Sequence, residues 1–263
     1  MLTMILTEKD LKYIITESVK RIISEAQVKI DNFDKVAKLM EYKSDDDFYF
    51  VQIIKRYKDN PYDDKSKGNY RGGAWYLNSW RIKNVNELMA LKQTIIKICH
   101  DNNARAYVTV NSRSMKDTDN QIIKVRSGLS NRDPRYVHAD DIVAAQPRPI
   151  EGNPRSHKNW AGKRLKFFID IDPEGMSKYV ARLLFRDVKE TLESLNMQPI
   201  EEYETPSGGL HLVLPNREDP NFPLLLKKLK EIDDNVDKGR KATAHANIDG
   251  KIILYSNVQT KGY

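Results

Sequence analysis

Two aspartates one residue apart, a histidine well downstream and a Ser-Gly-Gly turn before it are the residues best suited to chemistry. In Phe167-Phe168-Ile169-Asp170-Ile171-Asp172 the side chains of an extended strand alternate between faces. Phe168, Asp170 and Asp172 then share one face, and Phe167, Ile169 and Ile171 share the other. In Leu210-His211-Leu212-Val213-Leu214 the leucines take one face, while His211 and Val213 take the opposite one. Two carboxylates side by side repel. A hard cation such as Mg2+ or Mn2+ relieves that conflict by taking oxygen ligands. Such ions bridge phosphates and clamp the oxygens of an in-line displacement. A neighbouring imidazole can donate to a phosphate oxygen or carry a proton. Ser207, Gly208 and Gly209 either offer backbone N–H groups to an anion or form an ordinary hairpin turn.

These residues need a scaffold that brings them together. Arg164–Asp172 reads as a strand and 178–196 as a helix with Val180, Leu183, Leu184, Val188, Leu192 and Leu195 along one side. Strands follow at 199–204 and 210–214, with Thr205-Pro206-Ser207-Gly208-Gly209 as the turn between them. A helix spans 222–232, carrying Leu224, Leu225, Leu226 and Leu229, and a last strand spans Lys251–Tyr255. The order β-α-β-β-α-β is the split βαβ pattern of ferredoxin-like and RNA-recognition folds. Its spatial strand order is four, one, three, two. The helices cover the apolar face, so Asp170, Asp172 and His211 converge on an open face.

A third carboxylate would complete a two-ion site. Asp249, placed before the last strand, is one candidate, although Asp249-Gly250 is also a favoured hairpin pair. Asp237, before Lys238-Gly239-Arg240-Lys241, is the other, and His245 is a further possible contributor.

Upstream, residues 7–25 read as an amphipathic helix. Leu11, Ile14, Ile15, Val19, Ile22 and Ile23 recur at helical spacing behind a Thr7/Asp10 cap. This helix docks either on its own domain or on another protein. Strands are predicted at 48–56, 74–82 and 105–110, with a helix from a cap at Asn84 and Glu87 to about His100. Residues 58–73 read as a loop. The stretch 112–160 is polar and proline-containing, with one short helix near 117–125. The expected class is α+β: a helix in 1–30, an αβ module with a long loop in 31–160, and the βαββαβ module in 161–263.

The 263 residues carry a formal charge of +7 and a pI near 9.2, a balance that suits phosphate-bearing partners. Cys99 is the sole cysteine, which excludes a disulfide framework and a cysteine-built zinc site. No apolar run reaches the roughly 18 residues a membrane span needs. The expectation is a cytoplasmic protein without membrane contact.

Taken together, the Asp170-Ile171-Asp172-Pro173 and Ser207-Gly208-Gly209-Leu210-His211 motifs resemble the archaeo-eukaryotic primase (primase-polymerase) superfamily. Its pattern is a hydrophobic strand ending Asp-x-Asp, a small-residue turn leading to His, and a late hydrophobic-Asp, here Ile248-Asp249. The likeness covers about residues 163–257. It implies nucleotidyl transfer in DNA replication or repair, with nucleic acid and nucleoside triphosphates as partners. Asp170, Asp172 and Asp249 would bind Mg2+ or Mn2+, and His211 would contact the nucleotide's phosphates. Basic residues should neutralise the triphosphate; Arg113, Lys163, Arg164 and His157 are the candidates. Trp75, Tyr76 and Trp80 either stack on bases or pack in a core. Leu6–Leu11 with Glu17–Arg21 resembles leader helices on proteins of phages that infect gut Bacteroidetes. That likeness implies a phage protein in the host cytoplasm or the virion, with a docking or packaging tag. Two other readings use the same sheet: a binding module without chemistry, and a metal-dependent nuclease.

Overall fold

A computed structural model describes residues 30–60, 73–128, 166–173, 178–235, 243–248 and 250–258. The predicted helix at 7–25 lies outside these residues, as do His157, Lys163, Arg164, Asp237 and Asp249.

The elements follow one another as β1 (Ile30–Asp31), α1 (Phe33–Leu39), β2 (Asp47–Arg56), a short 3-10 turn (Tyr57–Asp59), β3 (Ala74–Ile82), α2 (Val85–Asn102), β4 (Arg105–Thr109), β5 (Arg113–Ser114) and α3 (Met115–Ser127). Then come β6 (Phe167–Asp172), α4 (Lys178–Ser194), β7 (Glu201–Glu204), β8 (Leu210–Leu214), α5 (Phe222–Asn235), β9 (Thr243–Ile248) and β10 (Lys251–Ser256). The class is α+β. Two antiparallel sheets form, one ordered β1-β10-β4-β2-β3 with β5 on β2, the other β7-β8-β6-β9.

The first sheet grows from the strands read off the sequence plus β1 and β10. Tyr49, Val51 and Ile53 on β2, with Ala106 and Val108 on β4, are buried together with Leu88, Ile95 and Cys99 of α2. Asn84 caps α2 by accepting from the Glu87 N–H at 2.9 Å, the bond expected of a capping asparagine. Asn103 ends the helix in a left-handed conformation. Trp80 and Leu77 of β3 pack against this core. The second sheet buries Phe167, Ile169, Ile171, Leu212 and Leu214 against Leu184, Val188 and Leu192 of α4 and Leu225 and Leu229 of α5. Of the α5 leucines, Leu224 and Leu226 stay exposed; their positions point away from the sheet.

The last strand differs from expectation. Lys251–Ser256 does not edge the second sheet; it lies between β4 and β1 in the first. The fourth strand of the second sheet is β9, whose Phe167↔Ile248 to Asp172↔Thr243 register runs along the whole of β6. Burial explains the exchange. Ile252, Ile253, Leu254 and Tyr255 are all buried, as an interior strand packed on both faces requires. Among the described side chains of β9, small Ala244 and Ala246 face the helix-side core, so its apolar signal is weak. The first sheet therefore draws on both the N-terminal and the C-terminal parts of the chain.

A second difference concerns the face opposite the helices. It is not open, because the first sheet packs over it. Phe168, Tyr203 and Val213 belong to the first sheet's core cluster. The Asn111 side chain clamps the chain leading into β6, donating to the Lys166 carbonyl at 2.8 Å and accepting from its N–H at 2.9 Å. Lys35 of α1 donates to the Glu202 carbonyl of β7 at 2.7 Å. These bonds set the two sheets against each other and leave a cleft between them.

Candidate functional site

The cleft has a volume of about 360 Å³ and is walled on one side by β6, the β7–β8 turn and β9, and on the other by β2, β4 and β10. Asp170, Asp172, His211 and His245 line the first wall. Their placement follows from strand alternation and register. Tyr203 pairs with His211, His211 with Asp170, and Asp170 with His245, so one lateral row crosses all four strands. Asp170 sits at its centre.

Asp170 is held from both sides. His211 Nε2 lies 3.2 Å from Asp170 Oδ1, and His245 Nε2 lies 4.0 Å from Oδ2. Burial pushes the Asp170 carboxyl up, but the His211 hydrogen bond and the charges of His211, His245 and Arg56 outweigh it. The group therefore stays below its ordinary value. The His211 side chain is only 10 % exposed. Its Nδ1 is buried without a hydrogen-bond partner among the described residues, and its ring lies 4.8 Å from that of Phe168. His211 thus spends its outer nitrogen on Asp170, which makes it an orienting residue in this geometry. Asp172 lies two residues further along the same face of β6 and also lines the cleft.

The opposite wall is basic. Arg56, Lys58, Arg105 and Lys251 line it, with Ile54, Tyr107 and Ile253 between them. Arg105 is deeply buried and pairs with Asp59 at 2.6 Å, both side chains being 4 % exposed. Its Nε and Asp59 Oδ2 have no partner among the described residues. Lys251 donates to Gln52 at 2.7 Å. None of these four cations was picked out from the sequence. The available signal was their position at strand ends: Arg56 and Lys58 where β2 runs out, Arg105 and Lys251 where β4 and β10 begin. Charge at a strand end usually means solvent; the pairing of distant strands brings Arg56, Lys58 and Arg105 to one end of the wall, while Lys251 starts β10 opposite Thr109, toward the other end of β4.

Arg113 stands elsewhere. It pairs with Phe48 at the start of β2, roughly 25 Å along that strand from Arg56 at about 3.3 Å per residue, and does not line the cleft. Trp75 and Tyr76 lie on edge strand β3 and Trp80 packs on the core; among the described lining residues of the cleft, Tyr107 and Phe168 carry aromatic rings besides the histidines.

The Ser207-Gly208-Gly209 turn shapes the cleft rather than donating into it. Gly208 N–H goes to the Thr205 carbonyl at 3.0 Å and Gly209 N–H to Thr205 Oγ1 at 3.0 Å. Gly208 has φ +76°, open to glycine at no steric cost. At Gly209 a Cβ would meet the Ile171 carbonyl at 2.3 Å, so only glycine lets the turn close against the end of β6. Ser207 lines the cleft and shares a 3.1 Å contact with Thr205 Oγ1.

Asp249 was expected to precede a last strand in the second sheet, and that strand, Lys251–Ser256, lies in the first sheet. In the observed register the residues beside Asp170 and Asp172 on that flank are His245 and Thr243. Asp170 and Asp172 are the carboxylates among the described lining residues. No group of three or more metal-ligating side chains stands ready-assembled among the described residues. No helix among them is long and apolar enough to cross a membrane. Searches with the chain found no matching family model, no matching curated protein and no matching solved structure.

Proposed function

We propose that this chain is a metal-dependent nucleotidyltransferase of the primase-polymerase kind, acting on nucleic acid in replication or repair. The observation that carries the reading is a cleft with two carboxylates on one wall and basic side chains on the other. A nucleoside triphosphate with a divalent ion has the complementary charge pattern.

The donor set fits such an ion. Asp170 and Asp172 present oxygen donors from one strand face, and Mg2+ or Mn2+ is commonly held by one or two carboxylates plus substrate phosphates. A bound ion there would neutralise charge developing on phosphate oxygens. The protein's own residues do the rest. His211 holds the Asp170 carboxylate in place through Oδ1. Arg56, Lys58 and Lys251 attract and orient the polyphosphate from across the cleft, with Arg105 buried behind them and paired to Asp59. Phe168 and the first sheet exclude water behind the row. The expected reaction joins a hydroxyl oxygen to the α-phosphorus as the bond from that phosphorus to the α,β-bridging oxygen breaks, releasing pyrophosphate and passing the hydroxyl proton to solvent.

One observation favours a second reading, a nucleotide- or nucleic-acid-binding module without chemistry: no third carboxylate lines the cleft among the described residues. A virion-associated role for the chain would belong to that reading. Incorporation of labelled nucleoside triphosphates on primed and unprimed templates, with Mn2+ or Mg2+, separates the two. The expected result is incorporation by the parent and none by the Asp170→Asn, Asp172→Asn double variant. Equal signal from both would remove the enzyme reading, and binding without incorporation would favour the module.

A further inference from the structure

We infer that Tyr76 is a stacking platform for single-stranded nucleic acid, which leaves the cleft over the edge of the first sheet with a phosphate on Arg56. The inference rests on the proposed function and adds the path of the strand.

Register puts Tyr76 beside the cleft. It pairs with Ile54, and Ile54 pairs with Arg105; both of those residues line the basic wall. Residues directly opposite on antiparallel neighbours share a face, so Tyr76 continues that wall one strand outward. β3 is the edge of its sheet, and Tyr76 is partly exposed there.

A bulge sends the side chain to that face. Trp80 packs on the helix-side core and pairs with Val51, a member of it. Two residues back, Asn78 lies opposite Ile53 of the same core. An unbroken strand would then place Tyr76 on the helix side as well. Instead the register shifts between Ile53 and Ile54, which leaves Leu77 as the extra residue. Leu77 packs on the helix-side core, and Tyr76 turns to the cleft side. Bulges gather at sheet edges and next to active sites, where they re-aim a side chain. The side chain re-aimed here is a large aromatic that belongs to none of the hydrophobic clusters among the described residues.

The surroundings suit a base. On the cleft side of β3 the neighbours of Tyr76 are Ala74 and Ser79, opposite Arg56 and Gln52, so small side chains border the ring. Arg56 lines the cleft and stands diagonal to Tyr76, a separation of about 7 to 8 Å. One nucleotide spans that interval between its base and a phosphate. Aromatic rings beside cations that track a backbone are the pattern of sequence-tolerant single-strand binding. A duplex keeps its bases stacked on one another, so an aromatic platform selects single strands. The net charge of +7 adds a general attraction for a polyanion.

The test measures binding of a labelled oligothymidylate to the full chain by fluorescence anisotropy, and of a non-hydrolysable nucleoside triphosphate by calorimetry. The parent should bind the oligonucleotide with an affinity that falls as salt rises. Tyr76→Ala and Tyr76→Leu should each lose about tenfold or more, whereas Tyr76→Phe, which keeps the ring, should stay near the parent. Asn78→Ala, on the opposite face, should change the affinity by less than about twofold. Arg56→Ala should weaken oligonucleotide binding and reduce its salt slope by about one. Triphosphate affinity should be the same in Tyr76→Ala as in the parent. Parent-like oligonucleotide binding by Tyr76→Ala would overturn the inference. An equal loss of triphosphate affinity in that variant would also overturn it, by placing the nucleotide's own base on the ring. A parent that binds the triphosphate but not the oligonucleotide would remove the strand path and leave the cleft's proposed role standing; a parent that binds neither would remove both. Matching circular dichroism and melting of Tyr76→Leu and Tyr76→Phe confirm that a loss reflects the ring and not the fold.

Discussion

The wall formed by the second sheet carries its polar row in mid-sheet, whereas the wall formed by the first sheet carries its cations at strand ends. Asp170 sits on β6, paired on both sides by β8 and β9, and is gripped by an in-register histidine. Arg56, Lys58, Arg105 and Lys251 sit where strands begin or stop, on long side chains. The contrast fits the two halves of an ion-bound polyanion. A cation demands fixed ligand geometry, which a strand paired on both flanks supplies. A polyphosphate tolerates adaptable donors, which strand-end lysines and arginines supply. Arg105 is the exception on the adaptable wall, because it is buried and tied to Asp59.

That exception offers the largest expected effect. Arg105→Met strands the Asp59 carboxylate in a buried setting, a change that costs about 3 to 5 kcal/mol when one partner of a buried pair is removed. Lys58→Ala, at an exposed position, should stay within about 0.5 kcal/mol of the parent. Urea denaturation measures both. Similar midpoints for the two variants would erase the distinction drawn between Arg105 and its neighbours.

Next in size is the turn that fits the acidic wall. Gly209→Ala drives a methyl into the Ile171 carbonyl and should cost about 1 to 3 kcal/mol as the hairpin shifts. Gly208→Ala, strained only by its positive φ, should cost about 1 kcal/mol. A reversed order in thermal melts would mean that the close approach to β6 is not what the second glycine provides.

The smallest effects separate the sheets by pH. The Asp170 carboxyl is held below its ordinary value by His211, His245 and Arg56 despite burial. Its contribution in the metal-free protein is complete above the unfolded value, near 3.9, and is lost as pH falls through the folded value. Asp170→Asn should flatten that acid limb below about pH 4. In the first sheet's core, burial pushes the Cys99 thiol up to about 12. The unfolded thiol ionises near 8.5, so this contribution is complete below that pH and fades as pH rises toward the folded value. Cys99→Ala should flatten the alkaline limb, and the native thiol should resist alkylation at pH 8 until denaturant is added. Identical acid limbs for parent and Asp170→Asn would contradict the electrostatic account of the row.

The acidic wall could be anticipated because its signal is local. Phe167, Ile169 and Ile171 alternate with Phe168, Asp170 and Asp172 within six residues, and Leu210, Leu212 and Leu214 sort His211 onto the matching face. The helices that cover the apolar face carry equally local periodicity. The basic wall could not be read this way, since its members lie on three strands of another sheet. β9 escaped because alanines mark its buried side, while β10 was assigned to the wrong sheet because apolar residues alone do not name a partner. The choice of Asp249 as a third acidic candidate came from that misplaced strand.

In the proposed function both walls serve one ligand. Isothermal titration of a non-hydrolysable nucleoside triphosphate, with and without Mn2+, tests this directly in the parent, Asp170→Asn and Arg56→Ala. The expected outcome is parent binding that Mn2+ strengthens by about tenfold or more, no Mn2+ enhancement in Asp170→Asn, and weaker binding in Arg56→Ala with or without the ion. Triphosphate affinity indifferent to Mn2+ in the parent, or unaltered by both substitutions, would contradict it.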